Sequence, residues 1–262
     1  MEESKNSSMN NYAPKSFAKE EFILPEEYRK IFQEYFSGKR SEHLLLSGTE
    51  GTGKTTAAKL LLAKAHSFFE IDCHQHSTAK NWKEGGNGWK ALLVSSDLTS
   101  HSLSVEEREN RTIKRCVLLE EFDAISSQGV FKTLLDKSSD HGVTCILTTN
   151  YLGDIEKAIQ NRCLSLEFGF PSSVWMNYEG EKFSGARNQI EEDLQDLMIN
   201  ILKKEAPKSE KLINTLEIAH FFQSIIKDNY PSIRGITMEM RKWIIEERID
   251  VPSQYLESNS RF

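Results

Sequence analysis

Three glycines and a lysine stand between an apolar run and a helical pattern in the stretch LLLSGTEGTGKTTAAKLLL, Leu44 to Leu62. Gly48-Thr49-Glu50-Gly51-Thr52-Gly53-Lys54-Thr55 fits G-x-x-x-x-G-K-[ST], the spacing of a phosphate-binding loop. Glycines accept the backbone angles that turn successive N–H groups inward into a concave anion nest. A helix N-terminus behind the loop adds positive partial charge. Lys54 has the reach for the outer phosphates, the Thr55 hydroxyl suits Mg²⁺, and Thr56 is the next hydroxyl in the set. A glycine-rich turn without a ligand shares the composition, but the strand before it and the helix after it favour a nucleotide site.

Two further strand ends carry polar groups of the kind phosphoryl transfer uses. RCVLLEEFDAI, Arg115 to Ile125, is an apolar strand ending in two carboxylates. In phosphate-loop ATPases such a pair organises the metal and activates water. Glu120 is then the acid that holds the Mg²⁺ water shell, and Glu121 the one that polarises the attacking water. An acidic turn in solvent reads the same in isolation, and the phosphate loop upstream tips the balance. TCILTTNYL, Thr144 to Leu152, ends in Thr149 and Asn150, where an amide beside the loop can orient water near the γ-phosphate.

Two other constellations invite chemistry less strongly. Cys73-His74-Gln75-His76, with Glu70 and Asp72 nearby, crowds donors after one strand but lacks the separated second pair of a structural zinc site. A strand-end turn is expected there. Trp82 and Trp89 flank flexible glycines in NWKEGGNGWKALL. A substrate-threading or DNA-facing loop is one reading, and tryptophans packed onto the domain the other, which is preferred.

The elements that must position these residues alternate. A helical pattern spans Phe22 to Phe36. Strand candidates follow at Leu44–Leu46, Phe68–Ile71, Ala91–Val94, Cys116–Leu119, Thr144–Thr148 and Leu164–Phe168, with helices at Thr55–Ala65 and Gln128–Lys137. Alternation of this kind predicts an α/β domain, a parallel sheet with helices on both faces. From Pro171 to Ile249 the pattern becomes helical. Gln189–Lys204 sets Ile190, Leu194, Leu197, Met198, Ile201 and Leu202 on one face, and Thr215–Lys227 and Thr237–Glu247 are amphipathic. Ser172 to Asn188 reads as a linker or insertion. The expected organisation is a disordered start over 1–11, a phosphate-loop domain over 12–170, a helical lid over 171–249 and a tail over 250–262.

The chain has 262 residues, and 33 Lys and Arg stand against 39 Asp and Glu, a formal net charge of −6. That excludes a generally basic nucleic-acid coat but leaves room for a local basic surface, for which Lys80, Lys83, Lys90, Lys132 and Lys137 are candidates. Cys73, Cys116, Cys145 and Cys163 show no C-x-x-C spacing and read as reduced thiols of an intracellular protein. The polar N-terminus lacks the apolar core of a signal peptide. A soluble, cytoplasmic protein (or one of the nucleus or of a host cell interior) with no membrane partner is expected.

Taken in order, Gly48–Thr55, LLEEFD, TTNYLGDIEKAIQNRC and YPSIRGITMEM resemble the motifs of AAA+ ATPases. They are most similar to those of sliding-clamp-loader ATPase subunits, phage-type and replication factor C small subunits. Asn150-Tyr151, Ile155, Ile159-Gln160 and Arg162-Cys163 match that family's N-Y-x-x-x-I-x-x-x-I-Q-S-R-C segment, with Asn161 in place of Ser. The start, NYAPKSFAKEEFILP, resembles a nucleotide-side segment of the family and adds Tyr12 to the nucleotide-contacting set, with Ala13 in place of Arg. The resemblance implies an AAA+ phosphate-loop sheet domain followed by a small all-helical lid. It implies ATP and Mg²⁺ as cofactors, other AAA+ subunits, a sliding clamp and primer–template DNA as partners, and loading of the clamp during replication as the function. It makes Asn150 the first sensor, Arg162 an arginine finger for a neighbour's ATP, and Arg234, in the lid, the second sensor.

Departures from the family pattern bear on that reading. Glu120 stands where the family has Asp, one methylene shorter, which predicts shifted metal geometry and slow hydrolysis. The sequence stops soon after the lid, without the helical collar that joins clamp-loader subunits, so self-assembly is expected to be weak. A different AAA+ machine, either a helicase loader or a protein remodeler, and a nucleotide-binding scaffold with little hydrolysis are the alternatives.

Overall fold

The computed structural model describes residues 14–18, 21–77, 82, 113–169, 181–212 and 215–253. They divide into two compact units, the first formed by Met1–Phe17 and Glu26–Phe168, the second by Ala18–Pro25 and Gly169–Phe262.

The first unit is built on β1 (His43–Ser47), β2 (Ala65–Asp72), β3 (Ile113–Glu120), β4 (Val143–Thr149) and β5 (Cys163–Glu167). All pairs are parallel, in the order β2-β3-β4-β1-β5. Every residue of β1 and of β4 is buried, as expected of central strands covered on both faces. Side chains alternate between the two faces. Leu45, Val117, Leu119, Cys145 and Leu147 share one cluster with Phe131, Leu134 and Leu135 of α3 (Gly129–Asp140). The intervening residues Leu44, Leu46, Cys116, Leu118 and Ile146 are equally buried and face the other side. There α2 (Lys54–Leu62), which packs on β2, β3 and β4, contributes Ala57, Ala58, Leu61 and Leu62. Helix α1 (Glu26–Phe36) packs on α2, and Phe32 stacks on Phe17 with ring centroids 4.5 Å apart. A single turn, α4 (Lys157–Gln160), leads into β5.

Within the second unit α5 (Glu181–Glu205), α6 (Leu216–Asn229) and α7 (Ile233–Lys242) bury Leu194, Met198, Leu202, Phe222, Ile236 and Met240. Thr215 caps α6 and Ser232 caps α7 through their hydroxyl oxygens, each satisfying an otherwise unpaired N–H. Among the described residues no helix is long and apolar enough to cross a membrane.

Several expectations need correction. The helix expected to run to Glu247 ends at Lys242, and a two-stranded antiparallel hairpin follows, β6 (Ile244–Ile245) with β7 (Arg248–Ile249). Its turn sets Glu246 and Glu247 at φ 50° and 64°. Part of the expected linker, residues 181–188, is the first stretch of α5. Helix α2 stops at Leu62 and Ala65 opens β2, while Phe22–Leu24 lies outside α1. The expected strand Ala91–Val94 falls outside the described residues.

Candidate functional site: a strand-end cluster around the phosphate loop

The loop after β1 takes backbone angles that only glycine adopts without strain: φ is 137° at Gly48, 79° at Gly51 and 100° at Gly53. Gly48 has a second constraint, because a Cβ there would stand 1.9 Å from the Phe168 carbonyl oxygen. The Phe168 N–H donates to the Ser47 carbonyl at 2.7 Å, so the chain after β5 closes on the root of the loop. Gly53 then caps α2, and the Thr52 hydroxyl donates to the Thr49 carbonyl at 2.8 Å. Thr49 and Glu50 are exposed, and Thr55 and Thr56 are half-buried in the first turn of α2.

Lys54 is buried to 7 % exposure and points back across the loop. Its ammonium donates to the carbonyls of Gly48 and Thr49 and, at 3.0 Å, to Oδ1 of Asn150. The strand order makes this meeting possible, since β4 lies directly beside β1 with Ser47 opposite Thr149. Residues 96 positions apart thus share one ammonium group.

The carboxylates lie at the end of β3. Glu121 is exposed with φ 54°, a left-handed conformation costing an L-residue about 1–2 kcal/mol. Its N–H donates to the Thr148 hydroxyl at 3.1 Å, which ties the strained turn to β4. The Asn150 N–H donates to Asp123 Oδ1 at 3.4 Å, a second tie between the two strand ends. Glu121 Oε2 lies 2.5 Å from His74 Nε2. Glu120, half-buried, approaches Lys59 of α2, with Oε1 3.6 Å from Nζ, and the same ammonium lies 3.3 Å from Glu70 Oε2. Partial burial works against the charge on Lys59, but Glu120 and then Glu70 outweigh it and hold the amine above its ordinary range.

The four-residue run after β2 forms a turn. Asp72 accepts from the His74 N–H and from the Gln75 side chain, the Cys73 thiol is buried, and His74 reaches Glu121. Trp82 is fully buried, with its ring centroid 4.5 Å from that of Phe131 and its indole N–H on the His76 carbonyl. Trp89 lies outside the described residues, as do Tyr12, Lys80, Lys83 and Lys90. Lys132 pairs with Glu156 at 3.2 Å.

The segment after Asn150 has a structural account. Ile155 and Ile159 enter the core, and the Gln160 amide donates to the carbonyls of Leu152 and Ile155. Buried Gln128 clamps the same turn, donating to the Asp154 carbonyl and accepting from the Glu156 N–H. Arg162 forms a two-pronged ion pair with Asp136, Nε to Oδ1 at 2.9 Å and Nη2 to Oδ2 at 3.1 Å, and Nη1 donates to the Ala158 carbonyl. It sits away from the loop. Cys163 opens β5 opposite His43, the first residue of β1, whereas the phosphate loop leaves the far end of β1. Arg234 is an exposed residue of the first turn of α7 in the second unit.

A sequence profile for the ATPase family associated with various cellular activities (AAA) matches residues 44–170. Those residues are an AAA ATPase domain. The match runs from β1 through the phosphate loop, the acidic strand end and Asn150 to just beyond β5, so it contains every expected site residue except Tyr12 and Arg234. The sliding-clamp-loader large subunit of Escherichia phage RB69 is 25% identical over 256 residues, covering 95% of this chain and 68% of that protein. The probable replication factor C subunit 5 of Caenorhabditis elegans is 22% identical over 243 residues, 90% of this chain and 65% of that one. The chain therefore spans about two thirds of the length of these relatives. AMPPCP-bound DnaA from Aquifex aeolicus has a similar fold, with a TM-score of 0.51 at 14% identity, covering 87% of this chain and 65% of that one. The AAA domain is thus a P-loop ATPase domain, and the wider likeness is to clamp-loader and replication factor C subunits.

Sequence reasoning missed Thr148, Gln128, Lys59 and Asp136, and it singled out His74 without its contact to Glu121. Only their contacts across the fold distinguish them from ordinary polar residues.

Proposed function

We propose that this chain is a clamp-loader-type ATPase subunit that binds ATP with Mg²⁺, assembles with neighbouring AAA+ subunits inside the cell, and couples hydrolysis to placing a ring-shaped clamp on primed DNA. The observation that carries the assembly part is the placement of Arg162. Five residues of β1 separate its end of the sheet from the loop, about 17 Å at about 3.3 Å per residue. A side chain held there by Asp136 has no route to its own phosphate loop, and an arginine finger at that position serves a nucleotide on an adjacent subunit. The likeness to clamp-loader and replication factor C subunits supports the choice of machine.

Within one subunit, the loop N–H groups and Lys54 bind the phosphates, Lys54 exchanging its carbonyl partners for phosphate oxygens. Thr55 and Glu120 fit a hard divalent cation, being oxygen donors on facing elements, and Mg²⁺ sites of this kind use one or two carboxylates with substrate phosphates. A cation held by these two residues would supply charge neutralisation at the phosphates. Glu121 accepts the proton of the attacking water, and Asn150, held by Lys54 and Asp123, orients that water. Arg234 is the second sensor. The nucleotide-binding scaffold with little hydrolysis remains the second reading, favoured by the Lys59 ammonium already seated at Glu120.

ATPase turnover with primer–template DNA, a sliding clamp and the partner subunits tests the proposal. Stimulation by clamp and primed DNA together is expected. Stimulation by an unfolded protein instead points to a remodeler, and tight ATP binding without turnover to the scaffold.

A further inference from the structure

Lys59 touches the acidic strand end, and the proposed chemistry gives it no part. It lies one turn beyond Thr55 on α2, and residues four apart share a helix face. The facing strands supply acids to that face, and two of them hold the Lys59 ammonium. Glu70 stands opposite Leu118 and Asp72 opposite Glu120, so Glu70 and Glu120 project on the same side as Leu118, the side covered by α2. The ammonium lies between them, 3.3 Å from Glu70 and 3.6 Å from Glu120.

We propose that Lys59 is a built-in counter-ion that competes with the divalent cation for Glu120, with Glu70 as the seat to which it withdraws. The proposal rests on the assignment of Thr55 and Glu120 as cation donors. A divalent ion held there stands one helical turn from the Lys59 ammonium, and the two positive charges repel. Glu120 is already neutralised when the ion arrives, so binding is an exchange of cations rather than the filling of a bare carboxylate. Glu70 makes the exchange possible, because it keeps the displaced ammonium paired. The longer Glu120 side chain reaches Lys59 from the strand end, which links the departure from Asp to this arrangement.

The two partners predict changes of opposite sign. Mn²⁺ serves as the probe, with free Mn²⁺ counted by electron paramagnetic resonance during titration of the full chain with a slowly hydrolysed ATP analogue. Lys59→Met removes the competitor and tightens Mn²⁺ binding to the protein–analogue complex. Glu70→Gln removes the withdrawal seat and weakens it. Because Lys59 is 49 % exposed, the shift in each direction is roughly two- to fivefold. Lys59→Arg keeps wild-type binding, and the double variant behaves as Lys59→Met, since Glu70 acts only through Lys59. Thermal unfolding checks that each variant is folded, and Lys59→Gln replaces Lys59→Met if the latter is not. Unchanged Mn²⁺ binding in folded Lys59→Met, or tighter binding in Glu70→Gln, overturns the proposal alone. If the wild-type chain binds the analogue with no divalent dependence, the cation assignment falls and this inference with it.

Discussion

Glu120 and Glu121 are chemically alike and adjacent, yet their surroundings separate them. Glu120 faces α2 and an ammonium, while Glu121 turns out of the strand on a left-handed backbone tied down by Thr148. Under the proposed roles Glu121→Gln keeps nucleotide affinity, since the residue lies outside the loop, but its amide cannot take a proton from water. Turnover is expected to fall about 10²-fold or more, the scale of general-base catalysis. Glu120→Asp draws the carboxylate back from Lys59 and is expected to keep or raise turnover. Single-turnover hydrolysis with calorimetric ATP titration distinguishes these outcomes, and normal hydrolysis in Glu121→Gln with none in Glu120→Gln exchanges the two roles. The loop and the two acids are legible in the sequence because each is local: a spacing of glycines, or a strand with its terminal residues. Thr148, Lys59 and His74 are not legible, because their meaning lies in contacts between elements far apart in the chain.

At the scale of elements, the His43 side chain joins β1 to β4 and to α3. Its Nδ1 accepts the Cys145 N–H at 3.0 Å, which leaves the proton on Nε2, facing the Leu135 carbonyl and the Ser139 hydroxyl at 2.9 Å. A neutral ring satisfies every partner, and a protonated ring sets N–H against N–H. Burial pushes the His43 pKa down, outweighing the Leu135 carbonyl, which favours the charged form. The unfolded chain, with an ordinary histidine pKa of about 6.5, therefore binds more protons as the pH falls. This contribution is present above about pH 6.5 and is lost as the pH falls below it toward the depressed folded value. The urea midpoint is expected to be lower at pH 5.5 than at pH 7.5, and His43→Gln to flatten that difference; an equal dependence in both proteins removes His43 as its cause. The five strands of the sheet are legible from their apolar runs: four are one to three residues longer at each end than the run suggests, and β5 begins and ends one residue earlier. The hairpin after α7 is not, because its turn uses Glu246 and Glu247 at positive φ where turn preferences favour Gly or Asn. Ile244 and Ile245 simply continue an apolar helical pattern.

At the scale of the whole molecule, the register of β1 with β5 means that one subunit offers its phosphate loop and its Arg162 from opposite ends of one sheet. Under the proposed assembly, subunits that pair head to tail complete one another's sites, as heterologous contacts do. An Arg162→Ala subunit has an intact loop but gives its neighbour no finger. A Lys54→Ala subunit has a dead loop but still presents Arg162. Each alone, with the partner subunits and primed DNA supplied, is expected to be inactive, since an arginine finger carries about 10³–10⁵ in rate in related systems. Mixing them restores interfaces in which an intact Lys54 meets an intact Arg162, so activity returns in part and stays below wild type. The ion pair with Asp136 supplies a control for folding: Asp136→Ala also frees Arg162, so equal thermal stability of Arg162→Ala and Asp136→Ala separates loss of the pair from loss of the finger. If Arg162→Ala alone retains partner-stimulated turnover, its link to Asp136 and Ala158 is a strand-entry brace, and the assembly reading loses the residue that carries it.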